Sequence, residues 1–550
     1  MRSPKPNIKA LILAGALVLT FLLINPNRAA AGTPVQGPIS TDTTWTQVGS
    51  PYWVEGDVTV LSSANLTIEP GVEVLFNGLY AMYVEGEFYA VGSPASVIDL
   101  TSNASIPSPG DWKGLQVNAT GRAIIRHTNI TYATDGVAFE ESSENIVSRS
   151  YIAFNSESGI SIKNESTSNR LDWNRIQNNS DGIYIDWSES SNSVGNNNIS
   201  FNDNGVHCDC KNDIIEHNEM YGNRFHAIRL AGYGTVIHNN TIAGNSFGGT
   251  RWSSYWCFDG SVWNEEAQSA IYSALSYSVN RIVDNAIERN MGSGIAADCG
   301  ARVDLKGNII RNSEIGISTY SDYRTWTVES YVTASWNVIM ENDVGVRILS
   351  DIENPGSSLF HHNDFIENTL HVHDKGGNTY SDSNSREGNF WSGFSEICED
   401  WERNGLCSLP YFIGFDEPVG EIIEDTCPLK FPAVWRGPLG GQWPVAHANG
   451  SYSGQVGKAI AFNGSGSYDP DGTIETYYWD FGDGFFGNGP SPKYAYWLSG
   501  AFSVLLIVWD NDYMWSMCNT TATITEGHSI HHSPQTSGVF EGSPEPAPWP

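Results

Sequence analysis

Short alternations of apolar and polar residues recur along the chain at a nearly constant spacing. Each alternation follows a small residue, and a series of glycines marks these points every 23 residues: Gly136, Gly159, Gly182 and Gly205. The series continues at Ala227, Gly249, Ala270, Gly294, Gly316 and Gly345. A period in the low twenties, with no helical 3.6-residue pattern between the alternations, predicts a solenoid in which each repeat covers its neighbour.

A second repeated element, Asn-x-apolar, precedes most of these small residues, as at Asn174, Asn218, Asn240, Asn285, Asn337 and Asn363. Short strands joined by polar corners predict an all-β parallel β-helix whose neighbouring turns lie about 4.8 Å apart. We expect Asn at one corner and Gly at the other, because both tolerate the left-handed conformation and the Asn side chain satisfies backbone groups. The run "NRIQNNSDGIYI" resembles a metal loop, but its polar residues recur in every turn, so it is a structural repeat.

Several segments resemble known right-handed parallel β-helix proteins, especially the NosD-like and the carbohydrate-binding and sugar-hydrolase branch. These segments are "ANLTIEPGVEVLFNG", "VEGEFYAVGS", "PGDWKGLQV" and, near the end, "GNFWSGF" and "CPLKFP". The resemblance covers most of residues 40–432 and implies a right-handed β-helix. It does not imply one activity, because this fold includes lyases, hydrolases, epimerases, adhesins and maturation factors.

The C-terminal part has a different pattern, with alternating strands joined by Asp-Gly turns, which predicts a small β-sandwich. The segments "SYDPDGTI" and "WDFGDG" resemble a PKD domain, a module that usually serves as a spacer or an attachment domain in exported proteins. Trp479 and Phe481 are expected in its core, and Asp469 and Asp471 at a turn. The resemblance implies calcium at these aspartates in some relatives, although turn chemistry alone also explains Asp-Pro-Asp-Gly.

The N-terminus has the pattern of a secretory signal peptide. Arg2, Lys5 and Lys9 precede an apolar run, and Ala29 to Ala31 form a small-residue cleavage site. We therefore expect cleavage near Ala31, a secreted or cell-surface protein, and no transmembrane span in the mature chain. The predicted organisation is a signal peptide (1–31), a β-helix (40–395), a closing segment and linker (396–443), a PKD domain (444–526) and a disordered tail (527–550).

The net charge limits the possible binding partners, and the cysteine content predicts disulfides. The formal net charge is −33, from 29 basic and 62 acidic residues, so the chain repels phosphate backbones and nucleic acid is excluded as a partner. The eight cysteines of an exported chain predict disulfides, whose pairing the sequence does not give.

The repeat register predicts which side chains point outward. Counting from each corner glycine, positions +1 and +3 point inward, and +2 and +4 outward. The outward positions of the central turns contain a contiguous set of reactive residues: Tyr184, His207, Arg229 and Arg251 at +2, with Asp186 and Asp209 at +4. The aromatic segment after Arg251 adds Trp252 and Trp256, which are suited to stacking on sugar rings.

Four interpretations of this outward set remain open. Asp186 and Asp209, about 5 Å apart, have the spacing of a retaining glycosidase pair. In a lyase or epimerase, Arg229 and Arg251 would bind a uronate carboxylate while His207 and Tyr184 transfer the proton. Without catalysis, the same residues form a glycan-binding face; and because outward columns must be polar, a purely structural role explains them too. The chain lacks the Gly-His-Gly of polygalacturonases and the Tyr-Gly-Phe-Asp-Pro-His of mannuronan epimerases.

Two histidine motifs suggest metal. In "HCDC", Cys208 falls on an inward position, which favours a core thiol or a disulfide over a ligand shared with His207. "LHVHD" is expected to place His371 and His373 on one outward face near His361 and His362. The sequence thus favours binding to an extracellular polysaccharide or glycoprotein. The alternatives are a polysaccharide lyase, epimerase or glycoside hydrolase and, third, a NosD-like metal-handling protein. None of these requires a cofactor, and calcium is the one candidate.

Overall fold

The computed structural model consists of two units, residues 1–434 and 435–550. It describes these residues: 32–186, 191–248, 251–253, 264–266, 268–274, 278–298, 300–321, 330–350, 358–374, 378–382, 387–394, 406–407, 410–415, 422–429, 444–470, 472–483, 486–496, 499–510 and 515–525. The predicted signal peptide and tail therefore lie outside the described residues.

The described residues of the first unit form short strands and one 3₁₀ helix, Gln47–Gly49. Its first strands are β1 (Thr33–Ile39), β2 (Thr43–Trp45), β3 (Tyr52–Val60), β4 (Asn65–Ile68), β5 (Glu73–Phe76), β6 (Ala81–Val84), β7 (Glu87–Val91), β8 (Ile98–Ser102), β9 (Gly114–Val117), β10 (Arg122–Arg126), β11 (Thr128–Thr131), β12 (Val137–Glu140), β13 (Ile146–Ser148), β14 (Tyr151–Ala153) and β15 (Ser158–Lys163). The central strands are β16 (Arg170–Asp172), β17 (Arg175–Gln177), β18 (Asp181–Ile185), β19 (Ser193–Gly195), β20 (Asn198–Ser200), β21 (Asn204–Cys208), β22 (Ile214–Glu216), β23 (Glu219–Tyr221), β24 (His226–Ala231), β25 (Val236–His238), β26 (Thr241–Ala243), β27 (Arg251–Ser253), β28 (Asn264–Glu266) and β29 (Ser269–Ala274). The last strands are β30 (Asn280–Val283), β31 (Ala286–Glu288), β32 (Ser293–Asp298), β33 (Arg302–Lys306), β34 (Ile309–Arg311), β35 (Ile315–Ser321), β36 (Tyr331–Ser335), β37 (Val338–Met340), β38 (Val344–Ser350), β39 (Leu359–His361), β40 (Asp364–Ile366), β41 (Leu370–Asp374), β42 (Phe390–Trp391), β43 (Tyr411–Phe415) and β44 (Ile422–Asp425).

These strands form a parallel β-solenoid with three strands in each turn. A 13-stranded parallel sheet, here called face 1, runs from β2 through β19, β22 and β25 to β39. The other two strands of each turn belong to a 27-stranded sheet. Face 2 is its series β14, β17, β20, β23, β26 and onward, and face 3 is its series β12, β15, β18, β21, β24, β29 and onward. The predicted all-β solenoid is confirmed.

The core is a column of aliphatic side chains along the solenoid axis. The predicted inward +1 positions of face 3 are all fully buried: Val137, Ile160, Ile183, Val206 and Ile228. Each buried Val or Ile contributes about 1.5–3 kcal/mol relative to an exposed side chain. The predicted alternation is therefore correct, and it fixes which side chains point outward.

Asparagine ladders hold successive turns together at the corners. In one ladder the backbone N–H of each Asn donates to the Oδ1 of the Asn in the next turn, at 2.9 Å for Asn174 to Asn197 and for Asn197 to Asn218. These Asn side chains are buried, as expected for groups whose hydrogen bonds are satisfied. The prediction that they adopt the left-handed conformation is wrong. That conformation falls on the preceding residue, for example Trp173 (φ 60°) and His217 (φ 54°).

The corner glycines also differ from the prediction in their physical reason. A Cβ on Gly182 would lie 2.5 Å from the carbonyl oxygen of Gly205 in the next turn. Gly136 and Gly159 have the same close contact, at 2.5 and 2.6 Å, and none of these glycines has a positive φ. Close approach of consecutive turns, and not left-handed backbone, therefore requires glycine here.

The second unit is a small β-sandwich. Its strands are β45 (Tyr452–Gln455), β46 (Ile460–Ala461), β47 (Ile474–Asp480), β48 (Phe486–Asn488), β49 (Lys493–Tyr494), β50 (Gly500–Asp510) and β51 (Trp515–Thr525), in a five-stranded and a two-stranded sheet. Trp479 and Phe481 lie in its core, as predicted, and pack around Phe462 with Tyr496. In the part of the chain that the structure describes, no helix is long and apolar enough to cross a membrane.

Candidate functional site

Face 3 places the predicted outward residues in register on consecutive turns. Tyr184 on β18 is paired with His207 on β21, and His207 is paired with Arg229 on β24. Asp209 follows β21, and its N–H donates to the carbonyl of Ile185, so Asp186 and Asp209 occupy adjacent turns. The structure therefore brings these predicted residues together.

Arg251 does not continue this column, so that prediction is wrong. Strand β24 pairs directly with β29, and Arg229 is followed by Tyr272. Arg251 lies instead in β27, which forms a two-stranded antiparallel hairpin with β28. The insertion explains the error, because a segment between two turns was counted as a turn. Of the two tryptophans, Trp252 lies in β27 without a described side chain, and Trp256 lies outside the described residues.

His207 is the centre of the site. Its Nδ1 lies 3.0 Å from Asp181 Oδ2, and its Nε2 contacts Arg229 Nη1 and lies 3.7 Å from Asp209 Oδ1. A guanidinium has only donors, so Nε2 accepts from Arg229 and Nδ1 carries the proton that is donated to Asp181. The imidazole is thus held in one tautomer, with a carboxylate on either side.

Asp181 is a residue of the candidate site that the sequence prediction missed. It is the first residue of β18, and its Oδ1 accepts a 2.8 Å hydrogen bond from Asn204 Nδ2 while Oδ2 accepts from His207. A nucleophile or base that is oriented by a third group is a common feature of reactive sites. The signal was a carboxylate directly before the corner Gly182, a position that the +1 to +4 alternation does not include.

The six residues of this arrangement are here called the His207 cluster: Asp181, Tyr184, Asp186, His207, Asp209 and Arg229. Their exposures differ. His207 and Asp209 keep 17% and 20% of their side-chain surface exposed, whereas the Arg229 side chain keeps 5%. The imidazole and the carboxylates are therefore accessible to a ligand. Arg229 is buried beneath them and positions the imidazole through its contact with Nε2.

The pKa values of Tyr184 and His207 are both raised, but for different reasons. Burial and the charges of Asp186, Asp209 and Asp181 raise the pKa of Tyr184 to about 12, so its phenol is protonated at neutral pH and donates hydrogen bonds. Burial alone would lower the pKa of His207, but the hydrogen bond with Asp181 and the carboxylate of Asp209, 3.7 Å away, raise it overall. The two rings meet edge to face, with centroids 4.9 Å apart.

Asp209 is the carboxylate with spare bonding capacity. Its Oδ1 is buried and makes no hydrogen bond within the described structure, although His207 and Arg229 lie 3.7 and 3.8 Å away. Buried polar atoms are normally hydrogen-bonded, and exceptions are common at functional sites. Asp209 Oδ1 is thus placed to accept a hydrogen bond from His207, while the exposed part of the carboxylate faces solvent.

Cys208 and Cys210 form a disulfide, and both are fully buried. This confirms the prediction of a core disulfide partner and removes both thiolates from the metal interpretation of "HCDC". Cys407 is also disulfide-bonded, and Cys427 and Cys518 are free.

The histidines of "LHVHD" lie in different environments, which corrects the expected metal pair. His373 is exposed on β41, whereas His371 occupies the corner position and its ring lies 5.8 Å from that of Trp391. His362 instead contacts His361 and the carboxylate of Glu387, at 2.6 and 2.7 Å. Among the described residues, no group of three clustered metal ligands includes any of these four histidines.

One cluster with metal-ligand geometry was missed by the sequence prediction. Glu216, His217 and His238 bring one ligand atom each within 4.8 Å of the others. We call them the His238 cluster; they lie where face 1 ends, so they are separate from the His207 cluster. Aligning the turns on their ladder asparagines, "IEHN" with "IHNN", would have found Glu216 and His238 in one column.

Face 1 also has a groove of about 490 Å³. Its lining includes an in-register column of Val236, Arg281, Asp304 and Thr333. The groove does not include any residue of the His207 cluster.

In the second unit, Asp469 is half-buried and Asp471 lies outside the described residues, so calcium at this turn stays a prediction.

Comparison with protein families assigns both units. Residues 54–199 and 95–247 match the right-handed β-helix region, residues 260–396 match the periplasmic copper-binding protein NosD, and residues 442–525 match the PKD domain. The chain therefore consists of a right-handed β-helix region with a C-terminal PKD domain. Both predicted resemblances are confirmed.

Individual relatives share only parts of the chain. Collagenase ColQ1 of Bacillus cereus (strain Q1) is 38% identical over 91 residues, which are 16% of this chain and 9% of the collagenase. The microbial collagenase of Vibrio alginolyticus is 34% identical over 82 residues, 15% of this chain and 10% of the relative. The chain thus spans about a tenth of the length of these curated relatives. Among solved structures, the catalytic domain of a GH87 α-1,3-glucanase is 12% identical, with a TM-score of 0.39, over 62% of this chain and 64% of that domain.

Proposed function

We propose that this protein is an extracytoplasmic polysaccharide-binding protein and that the His207 cluster is its glycan-binding face. The observation that supports this most directly is the in-register stack of Tyr184, His207 and Arg229, flanked by carboxylates on the same face. The NosD and PKD matches support a location outside the cytoplasm.

The position of the large side chains supports a defined site. On face 3 the outward +2 residue is Ala138 or Ser161 before the stack and Ala296 or Ser318 after it. From Tyr184 to Tyr272 the column spans three steps between turns, or about 14 Å. Arg229 and Tyr272 are buried, so a glycan lying along the solenoid axis would contact the column at Tyr184 and His207, on two adjacent turns.

The charges of the cluster favour a neutral or cationic glycan over a polyuronate. Asp181, Asp186 and Asp209 repel a uronate carboxylate, and Arg229 is buried 3.8 Å from Asp209. A lyase or epimerase would need that guanidinium for the substrate carboxylate, which would leave Asp209 without its counter-charge. Hydroxyl groups, by contrast, suit the carboxylate acceptors and the protonated phenol of Tyr184.

Retention on immobilised polysaccharides tests the proposal. We expect the chain to be retained on at least one neutral polysaccharide, and Tyr184→Ala to weaken that retention about tenfold or more, because an aromatic contact and a hydrogen-bond donor are lost. Tyr331→Ala is the matched control, since Tyr331 is 39% exposed on face 1 and lies away from the cluster.

Equal retention of the Tyr184→Ala and Tyr331→Ala variants would place glycan binding elsewhere on the chain. Failure of the unmodified protein to bind any neutral, cationic or acidic polysaccharide would refute the proposal.

Glycoside hydrolysis is the second candidate function, and the state of Asp209 favours it. Asp186 and Asp209 occupy adjacent turns, a spacing of about 5 Å that matches the carboxylate separation of retaining enzymes. Asp209 also has an unbonded oxygen next to His207. In such a mechanism one carboxyl group would protonate the leaving oxygen while the other carboxylate attacks the anomeric carbon.

Release of reducing ends from any glycan that the protein retains tests this second function. We expect Asp209→Asn to abolish hydrolysis while retention persists, because the amide keeps the shape but neither attacks nor transfers a proton. Asp203→Asn, at a 39% exposed carboxylate paired with Arg224, is the control. Retention without any release of reducing ends would leave binding as the function.

A further inference from the structure

The His238 cluster lies at the corner where face 1 turns into face 2. Glu216 is the last residue of β22 and His238 the last residue of β25, and the two are paired in register. His217 follows Glu216 in the left-handed conformation, with φ 54°. Two adjacent turns thus present three side chains from one corner.

The distances within the cluster are close to those of a coordination sphere. His238 Nε2 lies 3.0 Å and His217 Nε2 3.9 Å from the same oxygen, Glu216 Oε2. Around a tetrahedral zinc with bonds of about 2.0–2.1 Å, two ligand atoms lie about 3.4 Å apart. Small side-chain rotations would therefore place all three atoms around one ion.

The preceding turn has no side chain beside the cluster. The residue paired with Glu216 on β19 is Gly195, the last residue of that strand, and its φ is not positive. A Cβ at this position would lie 3.6 Å from both Glu216 Cγ and Asp172 Oδ1. The missing side chain leaves these two acidic side chains facing each other across the gap.

We propose that Glu216, His217 and His238 bind one divalent first-row transition-metal ion, with zinc as the best-matched ion. Two imidazoles and one carboxylate are a common zinc donor set, and three protein ligands leave a fourth position for water. The side chains keep 32%, 28% and 26% of their surface exposed, so an ion reaches them from solvent. The site lies on a different face from the His207 cluster and goes beyond the proposed glycan binding.

Asn239 supplies the outer contact that metal-bound histidines usually have. Its amide nitrogen Nδ2 lies 3.0 Å from His238 Nδ1 and donates to it, and a half-turn of the amide brings Oδ1 to the same place. When the amide oxygen faces this nitrogen, it accepts the Nδ1 proton and leaves the Nε2 lone pair for the metal. Asn239 is thus a positioning residue, and its amide orientation follows the protonation of His238.

Zinc binding by the purified full-length chain tests the proposal. After removal of metal with a chelator, we titrate zinc by calorimetry and follow the absorption spectrum with cobalt(II) in its place. We expect one zinc site, and about 100-fold weaker binding in His217→Asn and in His238→Val. Neighbouring turns already have asparagine at the position of His217, namely Asn196 and Asn239, and valine at the position of His238, namely Val283. We therefore expect both variants to fold.

A control variant separates this site from the C-terminal histidines. His531→Ala combined with His532→Ala should leave the binding unchanged, together with the tetrahedral cobalt absorption. Zinc binding that is equal in His217→Asn, His238→Val and the unmodified chain would overturn the proposal. So would a chelator-treated chain that binds no zinc. Melting curves of all variants in chelator serve as the folding check.

Discussion

The His207 imidazole meets a different partner at each nitrogen. Nδ1 donates to Asp181, and Nε2 accepts from Arg229 while Asp209 lies 3.7 Å away. A second proton on Nε2 would displace the guanidinium and turn the contact towards Asp209. The protonation of the His207 ring therefore decides whether Nε2 contacts Arg229 or Asp209. The carboxylates of Asp181 and Asp209 explain why the pKa of His207 is raised although the ring is buried.

This arrangement predicts a pH-dependent stability. The pKa of His207 is raised in the folded chain, so the protonated ring stabilises the fold through Asp181 and Asp209. This stabilisation is fully present below about pH 6.5, and it is lost as the pH rises through the pKa that His207 has in the folded chain. We expect Asp181→Asn to lower the pKa of His207 and to shift this loss to lower pH. Titration of the His207 ring protons by NMR measures the pKa, with His207→Gln for assignment.

Asp203→Asn serves as the comparison for that experiment, because Asp203 is exposed and pairs with Arg224. An unchanged His207 titration in Asp181→Asn would show that the Asp181 contact does not set the protonation of the ring.

At the scale of a turn, the sequence predicted the strands and their inward side chains but not the reasons for the corner residues. Alternation and period follow from burial, which the pattern of apolar residues records directly. The close approach of Gly182 to the carbonyl of Gly205 involves residues 23 positions apart, so it depends on the spacing between turns. The same holds for the ladder asparagines, whose partners lie in the next turn.

A pair of glycine variants tests the close-approach explanation. Gly182→Ala places a methyl group 2.5 Å from a carbonyl oxygen, so we expect it to lower the free energy of unfolding by about 1–3 kcal/mol. Gly195→Ala meets only contacts of 3.6 Å or more and should be neutral or slightly stabilising. Chemical denaturation in the presence of chelator compares them, and equal stabilities would contradict the explanation.

At the scale of the whole molecule, the order of units and the fold of each were predictable, and the contents of the candidate site were predictable only in part. Tyr184, His207 and Arg229 were placed correctly because each turn there has nearly the same length. Arg251 was misplaced because β27 and β28 form an insertion that the repeat count absorbed. Glu216 and His238 escaped notice because each resembles an ordinary polar corner residue until the two turns are superposed.

The asparagine ladder ends at Asp425, whose Oδ2 accepts from the backbone N–H of Asn389 at 2.6 Å and from the indole of Trp391 at 2.9 Å. Every step of the ladder donates in the same direction along the axis, so the small amide dipoles add, as peptide dipoles do in an α-helix. The positive end of this array meets a carboxylate. The solenoid thus has an electrical polarity, and its last turns differ from its first in the sign of charge that they stabilise.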